Sequence, residues 1–157
     1  DVGYSKFFTD RLVLIACGAH PWARRGTVQP QELLSERFIC REPESACCIT
    51  VRQGLARLGV DVDQMDVVME VGNPEALAMA VEYGIGVSFI SLLAAVPRLN
   101  LGRLAIVEVE GLNLSNTIEF VYSCSRPASP VRLKFLDFVN QPQNQALIEM
   151  LANGHAL

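Results

Sequence analysis

The sequence predicts an α/β protein with a largely parallel sheet, and three features of the chain carry that expectation. Short apolar runs recur at Leu12–Cys17, Phe38–Cys40, Val67–Val71 and Gly86–Ile90. The clearest of them are continuous rather than alternating, as strands covered on both faces must be. Between the later runs lie two stretches of helical period, each with its own start and stop residues. Half of the 157 residues are apolar, enough for a real core in one domain or two small lobes.

Taken in order, Leu12-Val13-Leu14-Ile15-Ala16-Cys17 is a buried strand ended by Gly18, suited to a parallel sheet, and His20-Pro21 closes a turn. Gln31 to Leu34 forms a short helix after Pro30, and Phe38-Ile39-Cys40 a second short strand. From Ala46 to Leu58 the residues Cys48, Val51, Leu55 and Leu58 share one helical face, with Gly59 placed to cap its end. Val67 to Val71 is a strand. Asn73-Pro74-Glu75 then opens a helix with an N-cap, a proline at its first position and an acid in its first turn. Leu77, Ala80 and Val81 face inward, the helix stops at Tyr83-Gly84, and Gly86 to Ile90 is again strand. Beyond Asn100, Leu104–Val109 and Ile118–Tyr122 read as strands around a loop at 111–116. Ser129-Pro130 opens a helix on which Val131, Phe135 and Phe138 share a face, and Gln145 to Leu151 closes the chain as a further helical segment.

Thirteen basic against 17 acidic side chains give a net charge of −4, and no basic run exceeds Arg24-Arg25, so these residues offer nucleic acid no electrostatic footprint. No apolar run is long enough to span a bilayer, and the start lacks the pattern of an export signal, so the expectation is a cytoplasmic protein without membrane contact. Five cysteines, an odd number, argue for reduced thiols rather than a disulfide framework. Cys17, Cys40 and Cys124 sit in apolar runs and read as core, and Trp22 as packed at a core edge.

The stretch REPESACCITVRQGL, residues 41–55, places Ser45, Ala46, Cys47 and Cys48 at a helix start, and Gly72-Asn73 precedes the next helix. Helix N-termini present amides without internal partners and a partial positive charge, a site for a carboxylate, phosphate or sulfate. Equally, Ser45 and Asn73 could be caps and nothing more, since every helix needs one. Cysteine catalysis would need a base, and the histidines are His20, in a turn, and His155, near the end. Zinc would need paired ligands such as C-x-x-C, which do not occur. A redox role for Cys47 stays open, while Cys48 reads as a small buried hydrophobe.

The segments LVLIACGAHPWA, FICREPESACCITVRQGLARLGV, VMEVGNPEALAMAVEYGIGVSFIS, LGRLAIVEVEG and IEFVYSCSRPASPVRLKFLDFV resemble, in that order, the effector-binding domain of LysR-type transcriptional regulators over about residues 8–140. The likeness is to the branch reading R-E-x-G-S-G-T-R before the sensor helix. Glu44, Ala46, Cys47 and Cys48 stand where relatives carry Gly, Gly, Thr and Arg.

The resemblance implies a periplasmic-binding-protein-like (type 2) lobe over 12–90, with 1–11 and 91–157 as crossover and part of a second lobe. It implies a small-molecule effector, anionic in the simplest case, held by Ser45, Ala46, Cys47, Cys48, Gly72, Asn73, Pro74, Glu75 and Thr9. It further implies no catalysis and no cofactor, a homodimer or tetramer, and contact with promoter DNA only through a DNA-binding domain absent from this chain. A free solute-binding protein of the same fold and a thiol redox sensor are the alternatives. Without the opening part of the first lobe, the helix at 129–139 should show a bare apolar face.

Overall fold

The computed structural model describes residues 1–125 and 127–154. Its elements run β1 (Val2–Cys17), α1 (Pro21–Arg25), β2 (Thr27–Val28), a 3-10 turn (Pro30–Ser35), β3 (Arg37–Cys40), α2 (Ala46–Arg57), a second 3-10 turn (Val62–Gln64), β4 (Asp66–Glu70), α3 (Pro74–Glu82), β5 (Ser88–Ser91), α4 (Leu92–Asn100), β6 (Leu104–Val109), β7 (Leu114–Ser123), α5 (Pro130–Asn140) and α6 (Pro142–Ala152). Among the described residues no helix is long and apolar enough to cross a membrane.

The sheet that carries the core is laid out β2-β6-β1-β5. The parallel pair β3-β4 joins it through a Phe38–Val87 bridge, where the Ile39 amide donates to the Val87 carbonyl at 2.9 Å and the Val87 amide to the Arg37 carbonyl at 2.8 Å. The direction of Leu12–Cys17 corrects the sequence expectation: it is antiparallel to both β5 and β6, and the other strands of this sheet run against it. Continuous apolarity reports burial on both faces, not strand direction. Leu12, Leu14 and Ala16 pack with Phe38, Val51, Leu55 and Val107 on the α2 side, while Val13 and Ile15 pack with Leu77, Val81, Ile90, Ala95 and Leu104 on the side of α3 and α4.

β1 is far longer than its apolar run. Its first part pairs antiparallel with β7 from Val2↔Ser123 to Leu12↔Leu114, forming a ribbon that leaves the main sheet. A bulge between Lys6 and Phe8 breaks the period-2 pattern that would have marked this half as strand. On the ribbon, Phe7 lies 4.7 Å from Phe120, whose ring meets Phe135 of α5 edge to face at 5.5 Å. The rest of the expected apolar face is bare: Val131 is 77% exposed and Phe138 58%.

Four further differences separate the structure from the sequence expectation. The loop expected through 116 ends early, because Leu114 already pairs with Leu12. α4 was not foreseen, since Pro97 lies inside it and a proline ordinarily argues against a helix interior. The turn at His20 is the start of α1, where His20 Nδ1 accepts from the Trp22 amide at 3.1 Å. Cys124, read as core, is exposed just beyond the end of β7.

Candidate functional site

In a parallel pair, the carboxyl ends of both strands, and the helices that follow them, lie at one edge. β3 feeds α2 and β4 feeds α3 in this way, so the two helix entrances stand side by side. β1 runs the other way and delivers its middle, Asp10 to Leu12, to the same edge, where Leu12 is paired with Ser91 at the end of β5. The result is a cleft of about 320 Å³ lined by Asp10, Leu12, Arg41, Glu42, Ser45–Cys47, Pro74, Ile90, Ser91 and Asn116.

α2 is held against β7 by a close approach at Gly54, where a Cβ would collide with Leu114 Cδ2, and its far end is capped by Gly59 at φ 75°. At its start Ser45 is extended, with φ −68° and ψ 140°, and its hydroxyl oxygen accepts from the Cys48 amide at 3.1 Å. The Ile49 amide donates to the Ser45 carbonyl at 3.0 Å. The Ala46 and Cys47 amides have no acceptor among the described residues. They are two free donors at the positive end of a 12-residue helix, beside an open cleft.

α3 begins differently. Pro74 has no N–H, and Asn73 Oδ1 takes both the Glu75 amide at 2.7 Å and the Ala76 amide at 3.4 Å. The Leu77 amide donates to the Asn73 carbonyl at 3.0 Å. The donors of this first turn are spent within the helix itself, so its entrance contributes shape and dipole rather than hydrogen bonds.

The other sequence-named residues distribute as follows. Cys48 lines a small apolar pocket with Cys40, Val51, Met65 and Phe89, beneath the cleft rather than in it. Glu75 turns toward α4, its carboxylate 2.8 Å from Arg98 Nη1. Gly72 borders the cleft rim, where a Cβ would lie 4.0 Å from Glu42 Oε2. Thr9 pairs with Thr117 and is exposed, on the opposite side of the strand from Asp10 by alternation. Glu44 is exposed and outside the cleft lining.

Five polar side chains of the lining, Arg41, Glu42, Asn116, Asp10 and Ser91, escaped the sequence reading. Arg41 donates twice to Glu42, at 2.8 and 2.6 Å, a bidentate pair whose hydrogen bonds hold the Glu42 carboxyl below its usual range. Asn116, which lines the cleft, accepts from the Thr50 hydroxyl through its Oδ1 at 2.6 Å. Asp10 is buried and accepts from the Ser91 hydroxyl at 2.8 Å; burial pushes its pKa up, and the Ser91 bond offsets part of that. Asp10 gave no sequence signal, because an Asp-Arg pair before an apolar run reads as a solvated strand end.

Burial pushes the Cys47 thiol up to about 11, Arg41 works against this, and the neighbouring Cys48, Asp10 and Cys40 add to it. Its Sγ faces the Phe89 carbonyl at 3.7 Å. A thiol that stays protonated at neutral pH is neither a ready nucleophile nor a ready oxidation target. Among the described residues no group of His, Cys, Asp and Glu could hold a metal ion. His20 sits 3.3 Å from Glu36, within a small unit with Trp22, and His155 lies outside the described residues.

Three comparisons bear on this geometry. The family model described as LysR substrate binding domain matches residues 1–154. A probable RuBisCO transcriptional regulator of Cyanidioschyzon merolae is 29% identical over 129 residues, 82% of this chain and 43% of that protein. The HTH-type transcriptional activator CmpR of Synechocystis sp. is 31% identical over 140 residues, 88% of this chain and 45% of that protein. This chain therefore spans less than half the length of the curated relatives it matches. The Synechocystis PCC6803 CcmR regulatory domain, solved in complex with 2-PG, superposes with a TM-score of 0.78 at 27% identity, over 88% of this chain and 65% of that one.

Proposed function

This chain belongs to the LysR substrate-binding domain family, and from that premise we propose that it is the ligand-sensing part of a cytoplasmic transcriptional regulator. It binds a small metabolite and transforms nothing. The ligand occupies the cleft between the α2 entrance and the β1–β7 ribbon, with an acid group on the Ala46 and Cys47 amides. Ser45 sets the turn, and Pro74 faces it from the α3 entrance, with Gly72 and Asn73 behind it. The observation that carries the reading is the pair of unspent amides opening on a cleft of about 320 Å³, within the range of small-ligand sites. The CcmR regulatory domain in complex with 2-PG, a related structure above 25% identity, supports it.

The working lobe is residues 12–90 together with α4 and β6, which pair and pack into its sheet. The ribbon and α5 belong to a second lobe, whose apolar face at Val131 and Phe138 is bare. Because β1 and β7 cross from one lobe to the other, a ligand that prefers one lobe arrangement shifts the population, and a dimer or tetramer reads that shift out on DNA through a separate domain.

The test is a thermal-shift screen of small phosphorylated and carboxylic metabolites, repeated with Ser45→Asp. The variant keeps an N-cap but sets a carboxylate beside the free amides. A ligand that stabilises the wild type should stabilise the variant several-fold less at equal concentration. Equal stabilisation of both would remove the α2 entrance from the site.

A further inference from the structure

The charged side chains lining the cleft are Asp10, Arg41 and Glu42. Arg41 and Glu42 neutralise each other through two hydrogen bonds, which leaves Asp10 as the lining charge without an opposite partner. It is only 8% exposed. Its Oδ1 accepts from the Ser91 hydroxyl at 2.8 Å, and no described residue donates to Oδ2. No fully buried side-chain oxygen among the described residues is left without a partner, so Oδ2 must keep an opening, and the open space that Asp10 borders is the cleft.

Ser91 adds a second observation. It occupies the N-cap position of α4, yet its hydroxyl makes no capping bond to that helix and is turned to Asp10 instead. A Ser at an N-cap ordinarily stabilises its helix through that bond. Here the cap is given up to orient a carboxylate that would be better hydrated outside. A buried carboxylate with one hydrogen bond is costly to the fold, and such costs concentrate at binding sites.

We propose that Asp10 is the specificity-determining residue of the cleft: its free Oδ2 accepts a hydrogen bond from a hydroxyl or ammonium group on the ligand whose acid group lies on the Ala46 and Cys47 amides. The ligand class is then a small acid that also carries a hydrogen-bond donor, not a simple anion. Two ends of the site have opposite demands, acceptors at α2 and a donor at β1. An acid without a donor leaves Asp10 desolvated and unpaired. This inference rests on the reading of the cleft as the ligand site, and its test separates the two.

Spectra of the ¹⁵N-labelled chain are followed at the Ala46 and Cys47 amides during titration with matched carboxylates of increasing reach: acetate and glycolate, propionate and 3-hydroxypropionate, butyrate and 4-hydroxybutyrate. The corresponding amino acids glycine, β-alanine and 4-aminobutyrate form the ammonium arm. In at least one hydroxyl or ammonium pair the donor-bearing acid should bind roughly fivefold tighter or better, the value of one net hydrogen bond. Asp10→Ala should erase that advantage while the plain acid still binds. Should Asp10→Ala fail to fold, Asp10→Asn decides, since removing the charge should abolish any preference for the ammonium member and reduce that for the hydroxyl. Equal affinities within every pair, or a preference that survives both substitutions, would overturn the role of Asp10 and leave the cleft standing. If none of the nine probes moves the two amides, the cleft reading itself falls.

Discussion

α2 and α3 begin at the same edge of the same sheet, each with a good N-cap, and they spend their first amides in opposite ways. Ser45 reaches one amide, Cys48, and leaves Ala46 and Cys47 without an acceptor among the described residues. Asn73 takes two amides and is followed by Pro74, which has none to give. A longer, forked cap plus a proline closes a helix start, while a hydroxyl cap followed by alanine leaves it open. Two sequences that look like equivalent anion cradles are therefore not equivalent: the cap's reach and the residue at the first helical position decide which one can hold a ligand.

The strongest way to break this contrast is to give α2 the start that α3 has. Ala46→Pro removes one of the two free donors, and the fold should accept it: proline is at home at the first helical position, and Ser45 already holds the extended conformation that a following proline requires. Inorganic phosphate, followed by amide shifts at Cys47, should bind roughly tenfold more weakly or worse, since a hydrogen bond to a charged group is worth about 1.5–3 kcal/mol. Circular dichroism should show a melting temperature within about 3 °C of wild type. Unchanged phosphate affinity would mean that the free amides are not the anion site.

A smaller effect follows from opening α3. Asn73→Ala removes the acceptor of the Glu75 and Ala76 amides and should cost about 1 kcal/mol of stability, read as a lower urea midpoint with an unchanged slope. Phosphate should now move the Glu75 amide, which is silent in the wild type, while affinity at α2 stays within about twofold. If wild-type α3 already responds to phosphate, the two entrances work together and the contrast is wrong.

Much of this arrangement was legible in the chain, and what was not has identifiable causes. The strand–helix alternation, the caps Ser45, Asn73 and Ser129 and the inward faces of α2 and α3 follow from period and cap chemistry, and the structure has them. The direction of β1 did not follow, because burial on both faces dictates composition whichever way the strand runs. The first half of β1 was hidden by its bulge, and α4 by Pro97. At the site, Ser45, Ala46 and Cys47 were found, while their near neighbours Arg41 and Glu42 and the residues brought in from afar were not. Asp10, Ser91 and Asn116 meet the α2 entrance only because β1 runs antiparallel, which no local pattern records. The equivalence assumed between the two entrances failed at the level of single hydrogen bonds, where cap geometry rather than residue class decides.

The smallest expected effect concerns the side chains of the open entrance. If α2 acts through its backbone, Cys47 is a packing residue, and its position at a helix start should not make it reactive. A helix N-terminus lowers a thiol's pKa, yet burial prevails here and pushes Cys47 up to about 11, so its thiolate fraction at pH 8 is roughly one part in a thousand. Iodoacetamide at that pH, read by peptide mass spectrometry, should label exposed Cys124 at least about tenfold faster than Cys47. Cys47→Ser should leave phosphate affinity within about twofold, because the amide that binds is retained and only the weak contact to the Phe89 carbonyl changes. Rapid labelling of Cys47, or loss of anion binding in the serine variant, would place the working chemistry of α2 in its thiol and return the redox reading to contention.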